Sequence, residues 1–391
     1  MKSKFLSLLA IAIVFASCSD DDEPTRVPVV VDINDTDSNI SGNLTYDLVL
    51  DENRDYTLNG ALIVKSGATL TIPAGMTIEC LAGGTDVYLL VEKGGKIIAD
   101  GDANNPITFT SSAVTPQAGD WGGVIINGQA PLSRQSGRES SASTEISNAI
   151  LFGGDIANDN SGILDYVVIE YTGARIDDNA EHNGLTLNGV GSGTTISNIY
   201  LAYGDDDAIE FFGGTVNASN ILVVNCTDDM FDFSQGYTGT CTNLYGIRQA
   251  GYAATTSDPR GIEADGNLDG DSPSDINQSN FTVNGITIIT NESTANSMVD
   301  VFKIRRGATA TITNAYVKAG TGASFGDMVD LLDGKGNATE QTTITFTRDA
   351  ANGLDAAPIK NLPVSPFATI TENATQTGAS TAAFSWTGFT F

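Results

Sequence analysis

Carboxylates recur in this chain at the centre of apolar triplets. Ile209-Glu210-Phe211, Phe231-Asp232-Phe233, Ile262-Glu263-Ala264, Val299-Asp300-Val301 and Val329-Asp330-Leu331 share one form, an acid between two apolar residues. In a β-strand the flanking pair points one way and the acid the other. Stacked as successive rungs, the acids would stand about 4.8 Å apart and point outward. Like charges at that spacing repel by about 1 kcal/mol in water, and more when partly dried. Asp205, Asp206, Asp207, Asp228 and Asp229 add charge at the same edge. Such a stripe is a solvated acidic face, a set of carboxyls with raised pKa values, or a site for a hard cation. Calcium suits it because that ion takes many oxygens and tolerates irregular geometry. Lys303, Arg305 and Arg306 lie near enough in sequence to offset part of the charge.

A second acidic stretch, Asp265-Gly266-Asn267-Leu268-Asp269-Gly270-Asp271, has acids or an amide at alternate positions and Gly at the sixth. That is how a calcium loop begins. The twelfth position holds Ile276 in place of the bidentate Glu, with Asp275 beside it. The other reading is a plain polar turn. The single histidine, His182, is expected at the surface, and one histidine excludes a multi-histidine zinc centre. Cys80, Cys226 and Cys241 are expected as free, mostly buried thiols, because Cys241 aligns with Ala218 and not with Cys226.

The element that must carry these residues is a repeat. The acidic triplets continue from Leu185-Thr186-Leu187, and a second column holds Asn198, Asn220, Asn243, Asn284 and Asn314, with Asp165 as an earlier member. An apolar run follows each. Strand-length alternation, cornered by Gly and Asn at intervals that start near 22 residues, is the mark of a solenoid. The expected fold is all-β, a right-handed parallel β-helix with three short strands per turn. Asn suits its corners because it tolerates left-handed backbone. Trp121 is expected to pack over a corner, Ser133 to Ser147 to form a surface loop, and 248–280 to be the largest insertion.

Residues 1–17 read as a lipoprotein signal peptide: a basic start at Lys2 and Lys4, an apolar run too short to span a membrane, then small residues before Cys18. Residues 18–40 form an acylated Cys and an acidic tether that begins Ser19-Asp20-Asp21-Asp22-Glu23, and 41–391 form one β-helix domain. The blocks GDWGGVIINGQAP, NSGILDYVVIEYTG, NGLTLNGVGSGTTI and DDDAIEFFGGTVN together resemble a family of Bacteroidetes-type cell-surface lipoproteins. The resemblance implies the β-helix and an envelope location, and it brings no catalytic residues. The acidic tether is also similar to the export signal of such surface lipoproteins.

The formal charge of −29 repels nucleic acid. The expected function is therefore that of a surface-exposed outer-membrane lipoprotein, held at Cys18, with a non-enzymatic binding or structural role. A glycan or an envelope protein is the expected partner and calcium the expected ion. The candidate ligands are Asp206, Asp207, Glu210, Asp228, Asp229, Asp232, Glu263, Asp265, Asn267, Asp269, Asp271, Asp300 and Asp330. The alternative is a polysaccharide-active enzyme, a lyase or glycoside hydrolase. It would use Glu210 and Asp232 as a carboxylate pair, or Arg260 or Arg305 as a base beside calcium.

Overall fold

The computed structural model describes residues 38–176, 180–293, 298–323, 325–349 and 357–391. The expected signal peptide, Cys18 and the expected tether up to residue 37 lie outside them, whereas Asn39 and Ile40, expected in the tether, begin the first strand, Asn39–Leu44. The chain winds as a parallel β-helix. Short strands Val124–Asn127, Leu185–Asn188, Ile209–Phe212, Phe231–Ser234, Arg260–Asp265, Asp300–Arg305 and Asp327–Asp330 stack in parallel as one face. Long strands Thr195–Ala202, Ala218–Val224, Thr240–Arg248, Asn280–Thr290 and Thr309–Ala319 stack likewise. Each long strand bends at its middle and so serves two faces. In an earlier turn those halves are separate strands, Lys96–Asp100 and Ile107–Ser111, both paired with Gly162–Glu170.

The bend is the asparagine corner. Asn198, Asn220, Asn243 and Asn314 have φ of 52°, 56°, 62° and 52°. Most side chains resist this left-handed conformation because Cβ crowds the carbonyl. The amides also form a ladder: Asn243 Nδ2 donates to Asn220 Oδ1, and Asn220 Nδ2 to Asn198 Oδ1, both at 2.9 Å. Two members of the expected column are off by one. Thr242 pairs with Asn284 and Leu244 with Ile286, so Gly285 takes the corner, at φ 78°. Asp165 pairs with Ser197, so Tyr166 takes it one turn earlier.

Inside, like stacks on like. Phe211 stacks on Phe233 of the next rung at a ring separation of 5.1 Å, while Phe281, from a strand of another face, packs against Phe233 at 4.4 Å; all three are buried. Trp121 is fully buried and its indole donates to Glu170 O at 2.8 Å, so it packs as expected. Cys80, Cys226 and Cys241 are free and buried, with Cys241 stacked on Ala218.

Two features were not legible. The stretch 133–147, expected as a bare loop, contributes the strand Ala142–Thr144, which pairs antiparallel with Ser147–Phe152. The C-terminal segment runs back along the asparagine corner as a strap. Thr377 N–H donates to Asn314 Oδ1 at 2.8 Å and Ser380 N–H to Asn243 Oδ1 at 2.5 Å. Phe384 then buries itself in an outer apolar cluster with Leu222, Val224 and Tyr245. The corner amides thus fix both the bend and the returning chain.

Replacing Asn220 by Ala should cost about 1–2 kcal/mol in urea denaturation, because Ala must hold left-handed backbone. Asn220→Gly should recover much of that loss, since Gly adopts φ near 56° freely. Equal losses in the two variants would assign the effect to the amide ladder alone.

Candidate functional site

The acidic triplets do share a face. Thr186, Glu210, Asp232 and Glu263 are paired in successive rungs. The next member is not Asp300. Glu263 pairs with Lys303, which pairs with Asp330, while Asp300 pairs with Arg260 and Asp327. The stripe thus changes sign at its fifth position. The reason is the irregular insertion before Asp300, which shifts the register by three residues and which no periodicity reveals.

Asp207 and Asp229 sit ahead of successive strands for a local reason. Asp207 Oδ1 accepts the Asp229 N–H at 2.8 Å, and Asp229 Oδ1 accepts the Arg260 N–H at 2.6 Å. Each carboxylate thereby satisfies the amide of the rung that follows. In Asp207 the second oxygen is left for the site, while in Asp229 it lies 3.7 Å from the Arg260 guanidinium. Asp206, Asp207 and Asp228 can each bring one carboxylate oxygen to within 4.8 Å of the others. The same holds for Asp207, Glu210 and Asp232, and for Asp229, Asp232 and Glu263. Shared members join these three groups into a continuous trough.

The trough points away from the apolar core but is not a solvated face. Loops flank it: Glu145 at the hairpin tip, Glu181, Asp258 and Asp269 line an open cleft of about 290 Å³ above its floor. A second cleft of about 570 Å³ adjoins it, between Arg175 and the 255–258 loop. Glu145, Glu181 and Asp258 carried no motif that could flag them. They come from separate insertions that the fold brings together.

Compensation is uneven along the trough. At the Glu263 end, Arg260 contacts Glu263, Asp258 at 2.8 Å and Asp300 at 3.3 Å. Arg305 contacts Glu263 and holds Asp265 at 2.8 Å, while Arg306 holds Asp265 at 2.6 Å. Burial works against the charge on Arg260, yet Asp229, Glu263 and Asp258 keep it firmly protonated. Neither Arg260 nor Arg305 is thus poised as a base. At the other end, Glu210 accepts from Asn183 Nδ2 at 2.6 Å, and Arg175 is already engaged with Glu181. Asp232 Oδ1 is buried with no hydrogen-bond partner. A buried carboxylate oxygen left unpaired is costly, and a bound cation would satisfy it.

The expected calcium loop does not assemble. Asp265 is taken by Arg305 and Arg306. Asn267 is buried, with Nδ2 donating to Gln278 Oε1 at 2.9 Å and Oδ1 accepting from Ser272 N at 2.9 Å. Asp271 pairs at the surface with Lys335, and Asp269 lines the trough. These ligands are dispersed, so the stretch is a polar turn. His182 is also corrected: it is buried, not superficial, with its ring 5.3 Å from Tyr88 and Nε2 3.3 Å from Thr85 O.

Burial, then repulsion from neighbours, raises the carboxyls of Asp206, Asp207, Glu210, Asp229 and Asp232 well above their ordinary values. Burial pushes Asp228 up to about 6. These groups bind protons more tightly folded than unfolded, so protonation stabilises the native state as pH falls through their raised values toward the ordinary carboxylate range. His182 works the other way. Burial lowers it to about 4, so stability is lost as pH falls from about 6.5, the unfolded value, toward 4. Six carboxyls outweigh one imidazole. Urea denaturation of the chelator-treated protein should therefore show stability rising as pH drops from 8 to about 5.5. A fall over that range would mean the trough is not desolvated.

Among the described residues no helix is long and apolar enough to cross a membrane. Comparison with curated proteins and with solved structures finds no match. A family model described as a pectate-lyase-like β-helix domain matches residues 42–390. With nearly the whole solenoid inside that match, the chain belongs to the pectate-lyase-like β-helix family.

Proposed function

We propose that this chain is a surface-exposed outer-membrane lipoprotein, anchored through Cys18, whose trough holds a hard divalent cation, and whose role is to bind or to scaffold. The observation that carries the ion is Asp232. Its Oδ1 is buried without a partner, in a group where Asp207 and Glu210 bring further oxygens within 4.8 Å. Calcium fits better than magnesium because it takes many carboxylate oxygens in variable number and tolerates irregular geometry. A cation here also gives an acidic surface a means to hold an anionic glycan or an acidic envelope protein. The lipoprotein reading rests on residues 1–23 and the resemblance of the β-helix blocks.

An ion that binds only the folded chain stabilises it by about 2.7 kcal/mol at a hundredfold its Kd. Calcium should therefore raise the Tm of chelator-treated protein by several degrees, EDTA should reverse the shift, and Asp232→Asn should abolish most of it. An unchanged Tm across a calcium series would remove the cation from this reading.

A polysaccharide-active enzyme is the second reading, favoured by the cleft that adjoins the acids. Glu210 and Asp232 lie close enough to act as a nucleophile and acid pair. Product release from neutral or acidic glycans, lost in Glu210→Gln and Asp232→Asn, would establish it. Inactivity across such a panel, with calcium present, would leave the binding role.

A further inference from the structure

A separate acidic group lies beyond the sign change in the stripe. Asp300, Asp327 and Asp330 are all buried, and each can bring one carboxylate oxygen within 4.8 Å of the other two. Asp300 and Asp327 are register partners on neighbouring rungs, and Asp330 ends the strand that Asp327 begins. Three positive groups surround them, and they are not equivalent. Arg260 reaches Asp300 Oδ2 at 3.3 Å while also serving Glu263 and Asp258. Lys303 is buried and committed, donating to Asp330 Oδ2 at 2.8 Å and to Leu332 O at 3.0 Å. Lys360 comes from the edge. It belongs to the two-residue strand Ile359–Lys360, and its side chain is 46% exposed. Its ammonium lies 2.5 Å from Asp327 Oδ2 and 3.6 Å from Asp330 Oδ2.

The ammonium does not complete the site. Asp300 is only 3% exposed, and its Oδ1 has no hydrogen-bond partner. A Lys on a partly solvated stem can withdraw into water at little cost, unlike Lys303 or Arg260. What it would leave behind is Asp327 without its counter-ion and Asp300 Oδ1 still unsatisfied, with Arg260 and Lys303 remaining on Asp300 and Asp330.

We propose that Asp300, Asp327 and Asp330 form a calcium site distinct from the trough, and that Lys360 is a tethered cation which occupies it and is displaced when the ion enters. Calcium suits the set because carboxylates can bind it through one or both oxygens, with water completing the shell. Asp330 Oδ1, which accepts the Leu332 N–H at 3.0 Å, keeps that carboxylate oriented. The ammonium maintains the fold when calcium is scarce, and the apparent affinity is set by the fraction of time it is withdrawn. A competitor seated for nine-tenths of the time weakens binding about tenfold.

Calorimetric titration of the full chain with calcium chloride tests this. Lys360→Met should tighten one binding step about tenfold, with Lys360→Gln giving the same result if the apolar replacement folds poorly. Asp300→Asn should remove that step alone, whereas Asp232→Asn should remove only the trough's, so the two sites can fail separately. Crystals soaked in terbium chloride should show anomalous density among Asp300, Asp327 and Asp330 in the Lys360 variants. An affinity indifferent to both Lys360 variants, or terbium confined to the trough in every protein, would overturn the proposal.

Discussion

Stacking in register governs this molecule. Parallel rungs place each side chain directly above its counterpart, about 4.8 Å away. For apolar residues the consequence is favourable: Phe211 lies on Phe233 at a ring separation of 5.1 Å, and each turn buries what its neighbour exposes. For acids the same geometry is costly. Glu210, Asp232 and Glu263 occupy consecutive rungs of one face, and no rotation of the strands can part them. Every other feature of the site answers that repulsion.

The answers differ along the axis. Toward the C-terminal end the chain supplies its own cations, through Arg260, Arg305, Arg306 and Lys303. Toward the N-terminal end Asp207 and Glu210 are met by a backbone amide and by Asn183, which are dipoles and not charges. Burial of these carboxyls adds a desolvation cost. Desolvation without countercharge is what an external cation would relieve. The division between a self-compensated half and an uncompensated half is the main electrostatic fact of the protein.

The asparagine corner solves a different problem with equal economy. A bend in each long strand needs left-handed backbone, and Asn provides it while its amide reaches the next turn. Where the column meets the C-terminal segment, the same amides bind the strap. The strap covers Leu222, Val224 and Tyr245, whose apolar side chains on an outer face would otherwise meet water.

The chain's own order of residues determined the β-helix, the apolar triplets, the left-handed corners at Asn198, Asn220, Asn243 and Asn314, and the stacking of Glu210 on Asp232 on Glu263. These follow from strand alternation and a short repeat, which are local and periodic properties. Only the tertiary structure decided that Lys303 and not Asp300 continues the stripe, because an insertion of irregular length carries no information about register. It alone placed Glu145, Glu181 and Asp258 over the trough and split Asp265, Asn267 and Asp271 among separate partners. It also buried His182 and left oxygens of Asp232 and Asp300 without donors. Those outcomes depend on contacts between loops distant in sequence. Burial and charge pairing there are set by what lies alongside in space.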